Sequence, residues 1–393
     1  MNRILIVTPT LRNGGGVIRG LQNMLALLPE NKYDIDVLPM GYSDSDNVSL
    51  SNCRILKDDF ILTSISAIFS QTKNYKYRNK LRIAKTILSI FGKVGKRTKI
   101  ENWLYKHTAK KYVNYDIVVA YQEGLCTHFV QYIKTTNRIA WIHCDYASWK
   151  KTNERNEEKV YAKYQHVVCV SKFTLNNFQS IYPSLKDKSK YIHNLLDKDF
   201  IQKESLIKYD DNKKEENIVR LVSIGRISRV KQFNLIPKII SQMLNLGAKD
   251  FRWLLIGGGE DKSVYDEIER ECKRYNITDK QFVFLGSKFN PYPYIKHSDI
   301  LVSTSSSEAC PFVVNEARVL GVPVVSNDYP SIYEFIKDGV NGKICTIDSM
   351  ASILSDLILN RGELDLLRKG MKENDYNNDN IINDICNLLD SDS

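Results

Sequence analysis

No apolar run in this sequence reaches the roughly 18 residues that a membrane-spanning helix needs, which excludes an integral span of that kind. Cysteine is present but unorganised. The eight residues (53, 126, 144, 169, 272, 310, 345 and 386) are scattered, without a CxxC pair, and no Cys/His cluster has zinc-ligand spacing. Several lie in apolar stretches, Cys169 in VVCVS among them, so they read as buried thiols in a reducing compartment, not a disulfide framework. The GxSxG turn of serine hydrolases and the GxxxxGK(S/T) phosphate loop are also missing, as is any repeat of fixed period. The opening MNRILIVTP reads as a strand running into a glycine loop and lacks the pattern of a signal peptide. A cytoplasmic protein is expected.

What is present is ordinary in kind and uneven in place. With 43% apolar and 26% charged residues over 393 positions, the chain is globular and long enough for two or three domains. Its net charge of +10 is concentrated. Residues 71–112 carry thirteen cations (Lys73, Lys76, Arg78, Lys80, Arg82, Lys85, Lys93, Lys96, Arg97, Lys99, Lys106, Lys110 and Lys111) and one acid, Glu101. The rest of the chain holds 43 basic and 45 acidic residues and is nearly neutral. One local anionic partner is implied, a phospholipid surface or a nucleic acid.

Short β-branched runs alternate with helical spacings. Strands are predicted at 4–8, 35–38, 117–121, 138–143 and 167–170, then again at 218–224, 251–256, 282–285, 300–304 and 323–326. Apolar strands separated by helices predict parallel sheets covered on both faces. The fold class is therefore α/β, with two doubly wound domains and a cleft between them. The boundaries read as an N-terminal domain at 1–200, a polar linker at 201–217, a second domain at 218–375, and a tail at 376–393 whose one helical pattern could pack back on the first domain.

Several motifs could carry chemistry. Asn13, Gly14, Gly15 and Gly16 follow the first strand and open a helix, where backbone amides can meet an anion or form only a tight turn. Arg226 and Lys231 leave the carboxyl end of strand 218–224 and could clamp a diphosphate, or belong to a solvated basic loop. Glu308 in the loop after strand 300–304 and Glu316 in the next helix could accept hydrogen bonds from sugar or ribose hydroxyls, with the Phe312 and Val313 amides near the helix start open to an anion. The alternative is a solvated helix face. His143 ends strand 138–143, with Asp145 two residues on; it suits a substrate hydrogen bond or a structural one. The DxD pairs Asp34/Asp36, Asp44/Asp46, Asp197/Asp199 and Asp390/Asp392 are read as chance, so no metal is expected.

Within the basic block, Leu81, Ala84, Ile87, Leu88 and Phe91 recur at helical spacing. They suit a basic amphipathic helix on an anionic membrane, or an ordinary helix that buries this stripe. Tyr75, Tyr77, Trp103 and Tyr105 among the cations leave base stacking as a third reading.

The ordered set VSIGRIS…K, LLIGGGE, FVFLG, SEACPFVVNEA, GVPVVS and EFIKDGVNG resembles the retaining glycosyltransferases of family 4, of the capsule, exopolysaccharide or lipopolysaccharide type. It implies the GT-B fold, two Rossmann-like domains facing a central cleft. A nucleotide-diphosphate sugar, UDP favoured, would give a hexose-type sugar to a lipid-linked glycan, without metal or other cofactor. By position, Arg226 and Lys231 would stabilise the departing diphosphate, Glu316 would hold the ribose, and Glu308 with the following backbone, Phe312 and Val313, would hold the sugar. Gly15, Gly16, Gly257, Leu285 and Gly286 would line the donor site, the last two near the base, and His143 would lie near sugar and acceptor. Pro311 stands where the family often has glycine and offers no N–H to the sugar. A nucleotide-sugar 2-epimerase and a non-catalytic nucleotide-sugar- or nucleic-acid-binding protein are the rival readings. The basic block would hold the protein on the inner face of the membrane.

Overall fold

The computed structural model describes residues 1–11, 15–41, 50–67, 72, 75–153, 155, 157–208, 217–259, 261–373 and 376–390. The chain divides into two compact units, 1–195 with 378–393, and 196–377.

Unit 1 is built on seven strands: β1 Asn2–Thr8, β2 Tyr33–Pro39, β3 Arg54–Ile55, β4 Ile117–Ala120, β5 Asn137–Ile142, β6 His166–Cys169 and β7 Ser189–Tyr191. All pair in parallel, in the order β3-β2-β1-β4-β5-β6-β7. Helices α1 Gly16–Leu27, α2 Phe60–Ser66, α3 Arg78–Lys93, α4 Arg97–Ala109, α5 Leu125–Val130, α6 Tyr146–Lys151, α7 Glu158–Tyr161 and α8 Lys172–Ile181 connect them. Alternate strand residues Leu5, Val7, Val118, Ala120, Ala140, Ile142, Val167 and Cys169 face one apolar core. Its far side is aromatic: Tyr146, Tyr161, Phe178 and Tyr182 meet edge to face or tilted, with centroids 5.1–6.3 Å apart.

Unit 2 opens with helix α9 Lys198–Glu204, so the stretch read as a linker begins helical, with Ile201 buried; 209–216 lie outside the described residues. Its strands are β8 Val219–Ile224, β9 Phe251–Ile256, β10 Phe282–Gly286, β11 Ile300–Ser303, β12 Val324–Asn327 and β13 Gly342–Cys345. They form a second all-parallel sheet, β10-β9-β8-β11-β12-β13. Helices α10 Ile236–Asn245, α11 Lys262–Arg274, α12 Tyr292–Lys296, α13 Phe312–Val319, α14 Met350–Leu359 and α15 Arg361–Glu373 complete the unit. The last helix, α16 Asn378–Asp390, belongs to unit 1. Asn2 donates to Leu389 O at 3.2 Å, and Lys32 and the Tyr33 hydroxyl both reach Asp390.

Both sheets are Rossmann-like, as the alternation of strands and helices predicts. Strands β3, β7 and β13 are additions: each is two to four residues long, forms a sheet edge and carries a cation within that short run. Among the described residues no helix is long and apolar enough to cross a membrane. All eight thiols are free, four of them buried.

The apolar stripe read in the basic block divides in two. Leu81 and Leu88 of α3 are buried, and Ala84 and Phe91 partly so, but Ile87 points outward. Ile87 lies one residue, and hence about 100°, round the helix from Leu88. Lys73 of the block lies outside the described residues.

Candidate active site

Open parallel sheets bind ligands beyond the carboxyl ends of their strands, where the strand order reverses. In unit 2 that point lies between β8 and β11. The chain leaves β8 through Gly225 and Arg226 into a 3₁₀ turn, Arg229–Lys231. It leaves β11 through Thr304 toward α13.

These two loops are bound to each other. The Thr304 hydroxyl donates to Lys231 O at 2.6 Å, and the Ser306 amide donates to Val230 O at 2.8 Å. Across this seam the Lys231 ammonium pairs with Glu308 Oε1, which also accepts from the Ser305 hydroxyl at 2.9 Å. Ser331 donates to Glu308 O at 2.6 Å, and Asn327 donates to Ser305 O at 2.9 Å. Lys231 and Glu308 are 21% and 18% exposed. One of the three ammonium donors is used on Glu308, so the pair can still receive an anion.

Behind the seam, backbones approach where a side chain cannot fit. Gly225 N donates to Ile256 O at 3.0 Å, Ile227 N to Gly258 O at 2.8 Å, and Gly257 N to Gly286 O at 3.0 Å. A Cβ on Gly257 would stand 2.2 Å from Gly225 O, and one on Gly259, at φ +155°, would stand 2.9 Å from Ile227 O. Gly257 and Gly259 thus let the ends of β8 and β9 close on each other, and this sets where Arg226 emerges. Arg226 is exposed and has no ionic partner among the described residues. Leu285 and Gly286 end β10, where the register shifts between Phe284 and Gly286 and φ of Gly286 is +68°.

Helix α13 carries the remaining candidates. Pro311 caps it without a side-chain hydrogen bond, and Phe312 and Val313 form its first turn, both partly buried. Glu316, one turn further in, is wholly buried.

In unit 1 the strand order reverses between β1 and β4. Gly15 caps α1 after β1, with open space where a Cβ would go, and Gly16 is the first helical residue. Asn13 and Gly14 lie outside the described residues. His143 leaves the carboxyl end of β5. Burial pushes its imidazole down to about 3, so it is neutral at ordinary pH. Its Nε2 is buried without a hydrogen-bond partner among the described residues, and its ring lies 4.8 Å from that of Tyr121. Asp145 caps α6 through Ser148.

One residue at this edge escaped the motif reading. Glu123 stands just past β4 and is buried, and its Oε2 accepts the His143 amide at 2.9 Å. Burial raises its carboxyl pKa, with the hydrogen bonds opposing. The available signal was an acid three residues past a buried strand and directly before a glycine, Gly124, at φ +81°.

The DxD pairs that can be followed do structural work. Asp34 and Asp36 on β2 both hold Arg54 of β3 at 2.8 Å, and Tyr115 donates to Asp36 at 2.7 Å. Burial pushes Asp36 up, but the Arg54 and Tyr115 hydrogen bonds outweigh it and hold its carboxyl below the usual range. Asp197 caps α9. Asp44, Asp46 and Asp392 lie outside the described residues. Among the described residues no cluster of three or more His, Cys, Asp or Glu could hold a metal ion.

Residues 204–377 match the family of glycosyl transferases group 1. An uncharacterized protein of the cps region of Klebsiella pneumoniae is 23% identical over 54% of this chain and 58% of its own length. The amylovoran biosynthesis glycosyltransferase AmsD of Erwinia amylovora is 20% identical over 86% of this chain and 84% of that protein. The chain otherwise spans about half the length of the curated relatives it matches. Among solved structures, Anabaena HepE in complex with UDP and glucose has a TM-score of 0.72 at 14% identity, with both chains fully covered. The chain therefore has the GT-B fold, with residues 204–377 of its unit 2 matching the glycosyl transferases group 1 family.

Proposed function

We propose that this chain is a retaining glycosyltransferase. It moves a hexose-type sugar from a nucleotide-diphosphate sugar, UDP favoured, to a lipid-linked glycan in surface polysaccharide biosynthesis. The observation that carries the reading is the Lys231–Glu308 pair at the switch point of β8 and β11, in a unit that matches the group 1 family. Two named relatives support it, one by its place in a cps region and one by amylovoran biosynthesis. HepE, described with UDP and glucose, supports the donor class.

On this reading the bond from the anomeric carbon to the diphosphate oxygen breaks while the acceptor hydroxyl oxygen bonds to that carbon from the same face, its proton passing to the departing phosphate oxygen, and negative charge grows on the leaving diphosphate. Arg226, by its planar fork, and Lys231, by its remaining donors, stabilise that charge, and no metal is needed. Glu308 accepts hydrogen bonds from the sugar hydroxyls, and Glu316 from the ribose. The Phe312 and Val313 amides add the positive end of α13. Gly257 lines the donor site, and Leu285 and Gly286 lie near the base. In unit 1, Gly15 and Gly16 offer backbone to a donor phosphate, and neutral His143 serves the sugar and the acceptor. No residue acts as nucleophile. The protein works peripherally at the inner face of a membrane, through residues 71–112.

The test is a screen of UDP-sugars against lipid-linked acceptors, each donor also incubated alone. Acceptor-dependent transfer that is lost in Lys231→Met and Glu316→Gln, with unchanged circular dichroism, is the expected result. Conversion of the donor without acceptor would make the protein an epimerase; full activity in either variant would overturn the site.

A further inference from the structure

Among the cations and polar residues exposed on α3 stand large aliphatic side chains of the kind a protein interior would favour. Ile83, Ile87, Ile90 and Val94 follow one another at spacings of four, three and four residues along α3 and just past its end. Together with Trp103 of α4 they are 48–65% exposed. This stripe is separate from the Leu81 and Leu88 face that anchors α3 to unit 1, and runs about 16 Å along the helix. On α3, on α4 and at the two ends of α4, Arg82, Lys93, Lys96, Lys99, Lys106 and Lys110 are exposed and have no acidic partner among the described residues. The one acid of the block, Glu101, is buried and already holds Arg97 and Arg155 at 2.7 Å each. Among the described residues no ion pair joins these six cations to an acid, and Glu101 is the one acid of 71–112.

We propose that this face of α3 and α4 docks on an anionic phospholipid bilayer. Ile83, Ile87, Ile90, Val94 and Trp103 enter below the headgroups, and the six cations lie against the phosphates. The proposal rests on the peripheral-membrane reading above and names the surface that makes it. Charge complementarity selects an anionic partner, and the aliphatic stripe selects hydrocarbon over nucleic acid. Base stacking needs a row of free aromatic faces, and here Tyr75 and Tyr105 are buried, while exposed Tyr77 already meets Phe60 and Tyr75 edge to face and lies under Lys76 and Lys80, which leaves Trp103 alone among four aliphatic side chains. Trp103, already stacked on His107, suits the headgroup level.

Sedimentation with vesicles of phosphatidylcholine, alone or mixed with phosphatidylglycerol, tests the proposal on the full chain. Salt-sensitive binding to the mixed vesicles is expected, with a blue shift of Trp emission that Trp103→Phe abolishes. Ile87→Ser with Ile90→Ser should lower partitioning roughly ten-fold per side chain. Lys96→Gln with Lys99→Gln should lower it roughly five-fold per charge on anionic vesicles only. Both pairs are on the surface and should keep wild-type circular dichroism. If the wild type binds and the isoleucine pair binds equally well, this face is wrong while the membrane reading stands. If the wild type binds neither vesicle, both fall; binding to DNA or to a protein in place of vesicles overturns them equally.

Discussion

Gly257→Ala should damage the protein more than its one added methyl suggests. That Cβ would stand 2.2 Å from Gly225 O and 3.0 Å from the Ile227 Cδ1 methyl. A carbon–oxygen contact is comfortable near ~3.2 Å, so the ends of β8 and β9 must part by about 1 Å. The neighbouring atom is backbone oxygen, which cannot turn aside as a side chain would. Overpacking of this kind costs about 1–3 kcal/mol, and the rigid neighbour places it near the upper end. The displaced segment carries Arg226 and Lys231, so affinity for UDP should fall with stability. Gly15→Ala is the control. Its Cβ meets nothing within 4 Å and its φ of −107° suits alanine, so stability should change by no more than about 0.5 kcal/mol. Urea unfolding and UDP titration read both quantities. Wild-type stability in Gly257→Ala would refute the close packing; lost stability with unchanged UDP affinity would refute its link to the site.

Lys231→Met should lower kcat at least about 100-fold while costing about 1 kcal/mol or less in stability, since its partly exposed partner Glu308 stays hydrogen-bonded to Ser305; steady-state kinetics and urea unfolding check both. The depressed His143 imidazole gives a definite pH dependence. Below its ordinary value of 6.5 the unfolded chain takes a proton that the folded ring refuses down to about 3. Stability should therefore fall as pH drops through that window, by up to about 1.4 kcal/mol per pH unit, and His143→Gln should flatten the slope in urea titrations. Glu123→Gln keeps an acceptor for the His143 amide and should fold and turn over nearly normally. Glu123→Leu strands that amide and should cost about 1–3 kcal/mol, read by thermal unfolding.

Unit 2 was legible in sequence because its chemistry sits in short loops between strongly apolar strands, in a fixed order. What stayed hidden depended on distance along the chain. Lys231 and Glu308 are 77 residues apart, and spacing alone grouped Lys231 with Arg226 and Glu308 with Glu316. The sheet order joins members of the two groups, while Glu316 is buried within α13. Three glycines after β9 were visible, but the 2.2 Å approach that requires the first of them is a contact with the neighbouring strand's loop. Glu123 needed the strand order too, because only beside β5 does it find the His143 amide. In α3 the period was read correctly, but two apolar stripes coexist, and only tertiary packing decides which turns inward.

The central claim is transfer of a sugar from a nucleotide donor with retention. Its most direct test is the anomeric configuration of the product, followed by proton NMR as the UDP-sugar is consumed with a lipid-linked acceptor. The expected result is a glycoside with the donor's own anomeric configuration, formed with UDP and absent with Lys231→Met. An inverted product, or a donor changed in the absence of acceptor, would contradict it.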